Sequence, residues 1–288
     1  MGDNIKNIRK TIGVKFPKLA MLYRYIRDNL KLWKEPKETK MGFKFTGNKS
    51  MQEGRFEPEE TKVVIKLLQQ VNIFINVGAN IGYYCCHALK YGKYTVAFEP
   101  IELNLRCLYK NIKANHWERM IEIFPIALSD KIGIIDIFGS GTGASLIKGW
   151  ASVPQKYFRL APSSTMDNVL GCRFQDQRCL ILVDIEGSEK YMLEGAVRML
   201  SRRLKPIWIV EICILTNQPK GIVINPNLLS TFEIFWNNNY EAWTVDKFPC
   251  FVSFEEIKAI IRSGINTLHT ENFIFIEKGR KEELLNDQ

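Results

Sequence analysis

A chain of 288 residues, 46% apolar and 25% charged, can bury the core of one large α/β domain and carry an extension. No apolar run approaches the roughly 20 residues of a membrane-spanning helix. The start has no apolar signal-peptide core, so cytoplasmic residence is expected. Seven cysteines without a CxxC pair and three histidines without ligand spacing exclude a disulfide framework or zinc ribbon, and no metal is expected. Residues 1–50 hold 13 Lys and Arg against 4 acids, a net of +9 that equals the charge of the whole chain. Residues 51–288 are therefore neutral overall, and nucleic acid is not an expected partner.

In residues 1–58, Leu19, Leu22, Tyr23, Ile26, Leu30 and Trp33 recur at helical spacing among Lys and Arg. This basic amphipathic helix suits an anionic membrane surface, which would place the protein at the inner face of the membrane. The same stripe also suits packing on the body. Glu35 to Pro58 reads as a linker with one short strand, Phe43 to Phe45.

Residues 59–288 read as one domain of alternating helices and strands. A helix over Glu59–Gln70 precedes a strand at Val71–Val77, and a helix from Ile81 to Lys90 precedes one at Tyr94–Phe98. A helix over Ile101–Asn115 is followed by a strand at Ile121–Leu128 and an extra one at Ile132–Phe138. Gly139–Ser164 is irregular and holds Trp150, Tyr157 and Phe158. Strand Cys179–Val183, a helix from Ser188 to Leu200 and strand Ile207–Ile212 come next. The chain closes with a helix over Leu228–Asn237, a strand at Tyr240–Val245, a helix capped by Ser253 and Glu256, and a strand at Asn272–Glu277. This alternation specifies an open, largely parallel sheet with helices on both faces.

The stretch INVGANIGYY, Ile75 to Tyr84, carries the functional signal. A buried strand runs into Gly78 and Gly82, where a tight turn lets a ligand approach the backbone. Glu99 ends the next strand 21 residues beyond Gly78, close to the ~20 expected of a carboxylate that accepts from both ribose hydroxyls. The turn is G-x-N-x-G and lacks the central glycine of the dinucleotide fingerprint. That spacing favours S-adenosyl-L-methionine (SAM) over NAD(P), and an NAD(P)-dependent oxidoreductase is the runner-up.

INVGANIGYY, AFEP (Ala97–Pro100), ALSD (Ala127–Asp130), SGTGASL (Ser140–Leu146), VDIEGSE (Val183–Glu189), LEGA (Leu193–Ala196) and IVEI (Ile209–Ile212) together resemble the FkbM-type methyltransferase family over about residues 60–278. The resemblance implies a class I methyltransferase (Rossmann-like) sheet in the order 3-2-1-4-5-7-6 with an antiparallel seventh strand. It implies SAM as cofactor, and O-methylation of a sugar, glycoconjugate or other hydroxylated natural product. Carried over by residue, Gly78, Asn80 and Gly82 match the cofactor turn, Glu99 the ribose carboxylate, and Ser129 and Asp130 the stretch near adenine. Asp184 and Glu186 match the acids beside the reaction centre. Asn76 stands where the family usually has Asp, which removes a charge favouring a cationic cofactor and motivates a non-catalytic SAM-binding adaptor as a further alternative.

An acceptor hydroxyl needs a carboxylate base, and Asp184 and Glu186 are the candidates, with Glu186 preferred; Asp184 also suits the methionine end of SAM. Both acids equally suit the N-terminus of the helix at Ser188. Trp150 and Glu211 are candidate acceptor contacts, with core packing and an ordinary strand-end acid as their alternatives. A metal held by Asp184, Glu186 and Glu211 is conceivable from residue type alone.

Overall fold

The computed structural model describes residues 34–139, 143–153 and 158–281. The helix expected between Leu19 and Trp33 lies outside them, as does Tyr157.

The first described stretch differs from the expected linker. Strands β1 (Lys37–Glu38) and β2 (Lys44–Phe45) form a small antiparallel pair, followed by helix α1 (Lys49–Gln52) capped by Asn48. Phe43, Phe45 and Met51 are buried in the main core. Two asparagines of a later helix bind this segment as a strand would. Asn111 accepts from Thr46 N at 2.8 Å and donates to Thr46 O at 3.1 Å, while Asn115 does the same to Lys44 at 2.8 and 2.7 Å. Burying three large apolar side chains outweighs the polar composition that suggested a linker.

Helix α2 (Pro58–Leu68) leads into β3 (Ile73–Val77), followed by α3 (Tyr83–Lys90), β4 (Tyr94–Phe98), α4 (Glu102–Ala114) and β5 (Ile121–Phe124). The expected strand Ile121–Leu128 breaks at Pro125, which lacks the N–H a central ladder needs. Its remainder, β6 (Ala127–Leu128), joins β7 (Gly133–Phe138) and β8 (Phe158–Ser164) in a separate sheet of order β6-β8-β7. β8 arises from the stretch Gly139–Ser164, which reads as irregular in sequence, and the short helix α5 (Met166–Leu170) follows it in residues to which the sequence assigns no element.

The second half contains β9 (Cys179–Val183), α6 (Glu189–Glu194), α7 (Val197–Leu200) and β10 (Ile207–Glu211), then α8 (Leu228–Asn237), β11 (Tyr240–Thr244), β12 (Phe251–Val252), α9 (Phe254–Ser263) and β13 (Asn272–Glu277). The expected single helix from Ser188 to Leu200 is interrupted at Gly195. A Cβ there would sit 2.2 Å from Ser129 O, so the break lets the helix pack directly on the β6 end.

The main sheet runs β12-β11-β13-β10-β9-β3-β4-β5. The five strands from β10 to β5 pair in parallel, and β13 is antiparallel to both neighbours. Apart from the added edge strand β12, this is the class I methyltransferase order. β3, β9 and the first four residues of β10 are buried on both faces, which explains their unalternated apolar sequences. Large clusters cover the two faces. The carboxyl ends of β3, β4, β9 and β10 thereby meet at one edge, supported from both sides.

Candidate active site

A cleft opens at that edge between the loops that follow β3, β4 and β9. About 600 Å³ of space, open solvent at its mouth included, lies within it.

The β3 loop is held by the chain itself. Gly78 has φ +83°, and a Cβ on it would lie 1.9 Å from Asp184 O. Gly82 has φ +86°, and its Cβ would meet Leu108 Cδ1 at 2.3 Å. The two glycines were expected to admit a ligand. Gly78 lines the cleft, and the two glycines also admit the β9 loop and α4, so internal packing requires them too. Between them Asn80 adopts the left-handed region at φ 51°, a conformation sparsely used by non-glycine residues.

Glu99 is 3% exposed and organises this end. Its Oε2 accepts from Asn80 N at 2.8 Å, and its Oε1 from Ile101 N at 2.8 Å and Asn104 Nδ2 at 3.2 Å. Oε1 thus carries two donors and Oε2 keeps an open acceptor position, so the carboxylate has less free capacity than the spacing suggested. Burial pushes its pKa up to about 7, opposed by those same three donors. Beside it, Asn80 Oδ1 is a buried acceptor without a protein partner. Ile101, Ile126, Leu128, Ile137 and Leu146 give the cleft an apolar flank.

The opposite end is built from acids. Asp184 directly follows β9 and Glu211 ends β10. These strands pair in parallel with Val183 opposite Val210, which makes Asp184 and Glu211 lateral neighbours, and their carboxyl groups meet. Glu57 and Glu60 reach the same place from the start of α2, where Tyr84 donates to Glu57 at 2.9 Å. Burial, reinforced by Glu57, pushes Glu60 up to about 8. Burial and the neighbouring acids also raise Asp184 and Glu211.

Glu186 is differently placed. Its backbone is left-handed at φ 54°, its Oε2 accepts from Trp150 Nε1 at 2.7 Å, and its carbonyl accepts from Ser145 Oγ at 2.6 Å. The Trp150 ring lies over Gly187, where a Cβ would come within 2.5 Å of it. Trp150 is 2% exposed. Of the two readings of Trp150, acceptor contact and core packing, its burial favours core packing, with its indole N–H on Glu186; Ala144 to Leu146 line the cleft. Phe158 is exposed on β8. Glu189, which no sequence signal singled out, accepts from Gly187 N at 2.9 Å, at the helix N-terminus that Asp184 and Glu186 equally suit by sequence.

Other expected residues fall outside the cleft wall. Asn76 is 2% exposed and donates to Cys85 Sγ at 3.5 Å, facing α3 and not the cleft. Ser129 bonds to Asp130 at 2.8 Å, and neither lines the cleft; Ile126, Ala127 and Leu128 do so just before them. Glu211, Cys213 and Glu271 bring three ligating atoms within 4.8 Å of one another. Glu271 spends its oxygens on Ile214 N at 2.9 Å and Thr216 Oγ1 at 2.6 Å, which ties the β10 loop. Asn104, Ser145 and the Glu57–Glu60–Tyr84 group were not legible in sequence, because each acts across a long-range contact.

The methyltransferase FkbM domain model matches residues 76–264. No curated protein matches the sequence. Among solved structures, the methyltransferase FkbM from Methylobacillus flagellatus KT is 16% identical with a TM-score of 0.41, over 71% of this chain and 43% of that one. A precorrin-6y C5,15-methyltransferase from Geobacter metallireducens GS-15 is 12% identical at TM-score 0.40, over 80% and 91%. A putative O-methyltransferase from Klebsiella pneumoniae is 9% identical at 0.38, over 76% and 79%. The chain thus spans less than half of the M. flagellatus protein.

Proposed function

Because the chain belongs to the FkbM methyltransferase family, we propose that it transfers a methyl group from SAM to a hydroxyl of a sugar, glycoconjugate or related natural product. The observation that carries the cofactor reading is the charge of the cleft. Glu99, Asp184 and Glu186 line it, and none of its described lining residues is Lys or Arg. Such a wall repels a pyrophosphate and suits a cation. Two adjacent acceptors, Glu99 Oε2 and the unpartnered Asn80 Oδ1, match a ligand that brings hydroxyl donors.

Bound SAM supplies a methyl group on a cationic sulfur. Glu99 and Asn80 would hold its ribose, and the apolar flank from Ile101 to Leu146 would take the base. Asp184, at the acid end, accepts the proton of the acceptor hydroxyl, a contribution typically worth ~10²–10⁴-fold. Glu186, clamped by Trp150, fixes the loop that carries Asp184. Holding acceptor and methyl in line supplies up to about 7–11 kcal/mol. The acceptor class rests on the family resemblance.

Equilibrium titration with SAM, S-adenosylhomocysteine and NAD tests the reading. Binding of the first two and not the third is expected. NAD binding alone would favour the oxidoreductase, and SAM binding without turnover on any hydroxylated acceptor would favour the adaptor.

We also propose peripheral membrane contact through the basic arm, supported by the charge of residues 1–50. No helix among the described residues is long and apolar enough to cross a membrane. Phe43, Phe45 and Met51 belong to the core, so the part of residues 1–50 proposed to meet the membrane lies before Phe43. Salt-sensitive sedimentation with anionic vesicles, lost when Lys and Arg in residues 6–31 are neutralised, is the expected result.

A further inference from the structure

The carboxyl groups of Asp184 and Glu211 meet although ionised carboxylates have no proton to donate to each other. The β9–β10 register, which ends at Val183 opposite Val210, makes Asp184 and Glu211, the next residue on each chain segment, lateral neighbours. Among the described residues, the titratable groups that press on the pair are acidic. Glu57 and Glu60 approach from the start of α2 with Tyr84 from α3 behind them, and Glu186 approaches from the β9 loop. The β10 loop adds Cys213, itself beside Glu271. Asp184 also lines the cleft that Glu99 closes at its other end.

We infer that Asp184 and Glu211 act as one unit that shares a proton, and that entry of a cationic ligand into the cleft expels that proton and so frees Asp184 as a base. This rests on the SAM reading above and extends it: the cofactor's charge would prepare the residue that takes the acceptor's proton. Two like charges in contact cannot both stay ionised in a water-poor site, so one proton is retained. A positive charge nearby reverses that balance. Methyl transfer then forms the bond between acceptor oxygen and methyl carbon and breaks the bond between methyl and sulfur. Sulfur keeps the electron pair, and the hydroxyl proton moves to Asp184. Glu211 is a positioning residue that works through Asp184. The product thioether lacks the charge, so the pair regains affinity for its proton when the reaction is complete.

The test compares proton release on binding SAM and S-adenosylhomocysteine, measured by calorimetry at neutral pH in buffers of different ionisation heat. The two ligands share ribose, adenine and amino-acid ends, so contributions from Glu99 cancel. Wild type should release more protons with SAM than with S-adenosylhomocysteine, by about half a proton or more. The excess should vanish in Glu211→Gln while SAM still binds. Equal release for both ligands in wild type would overturn the inference without touching the cofactor assignment. An excess that survives in Glu211→Gln would also overturn it. Failure of both ligands to bind wild type would instead overturn the SAM reading and the inference with it.

Discussion

The two ends of the cleft use the same side-chain chemistry in opposite ways. At one end Glu99 is surrounded by donors: two backbone N–H groups and the Asn104 amide. At the other, Asp184 faces Glu211, Glu186 and Glu57. Burial raises the proton affinity of both acids, but donors counteract it only at Glu99. A carboxylate placed among donors is prepared to accept hydrogen bonds from a ligand. One placed among carboxylates is prepared to exchange a proton. Environment, not residue type, thus separates binding from chemistry within one cleft.

The largest effect should come from the frame that both ends share. Phe45 is fully buried against α3 and α4 through Tyr83 and its neighbours. Phe45→Ala should cost about 3–5 kcal/mol in chemical denaturation, and a chain starting at Met51 should lose at least as much. A truncated chain as stable as wild type would show that the first segment is an appendage after all.

Removing the donor-rich end's acid is next. Glu99→Ala deletes a hydrogen-bond acceptor worth roughly 1.5–3 kcal/mol, so SAM affinity should fall about ten- to hundredfold, with some loss of thermal stability because Asn80 N, Ile101 N and Asn104 lose their acceptor. Unchanged affinity in a direct titration would dissolve the contrast between the ends.

Both ends should show themselves in pH dependence. Glu60 is raised to about 8 and Glu99 to about 7 from ordinary values near 4.5. Between those limits the unfolded chain has lost protons that the folded chain keeps. Stability is therefore greatest at and below about pH 4.5 for these groups and declines as pH rises through 7 to 8, by up to about 1.4 kcal/mol per pH unit for each proton of difference. Urea denaturation across this range should show the decline, and Glu60→Gln should flatten it. A slope that Glu60→Gln leaves unaltered would remove Glu60 from the account.

The smallest effect is expected at Asn76. Its side chain faces Cys85 and not the cleft, so Asn76→Asp should change SAM affinity less than about threefold, below the effect of losing one net hydrogen bond. A tenfold gain on titration would mean that charge at this position is felt in the cleft, and that the departure from the family's usual Asp matters.

Sequence by itself determined the parts that depend on near neighbours. The β3 strand, its turn and Glu99 fall within 27 residues, Ile73 to Glu99, and two adjacent parallel strands bring them together in the only way their lengths allow. The alternation of helices and strands was legible for the same reason, since periodicity is a local property. Tertiary structure alone decided what crosses the chain. Glu211 reaches Asp184 because β10 lies beside β9, and Glu57 and Glu60 arrive from a helix more than a hundred residues earlier. Trp150 closes on Glu186 instead of facing an acceptor, because the energy of burying an indole with its N–H satisfied is gained only where a complementary surface exists. Residues 37–52 dock by the same logic: their apolar side chains are too few to reveal a core in sequence, and they become one only against α3 and α4.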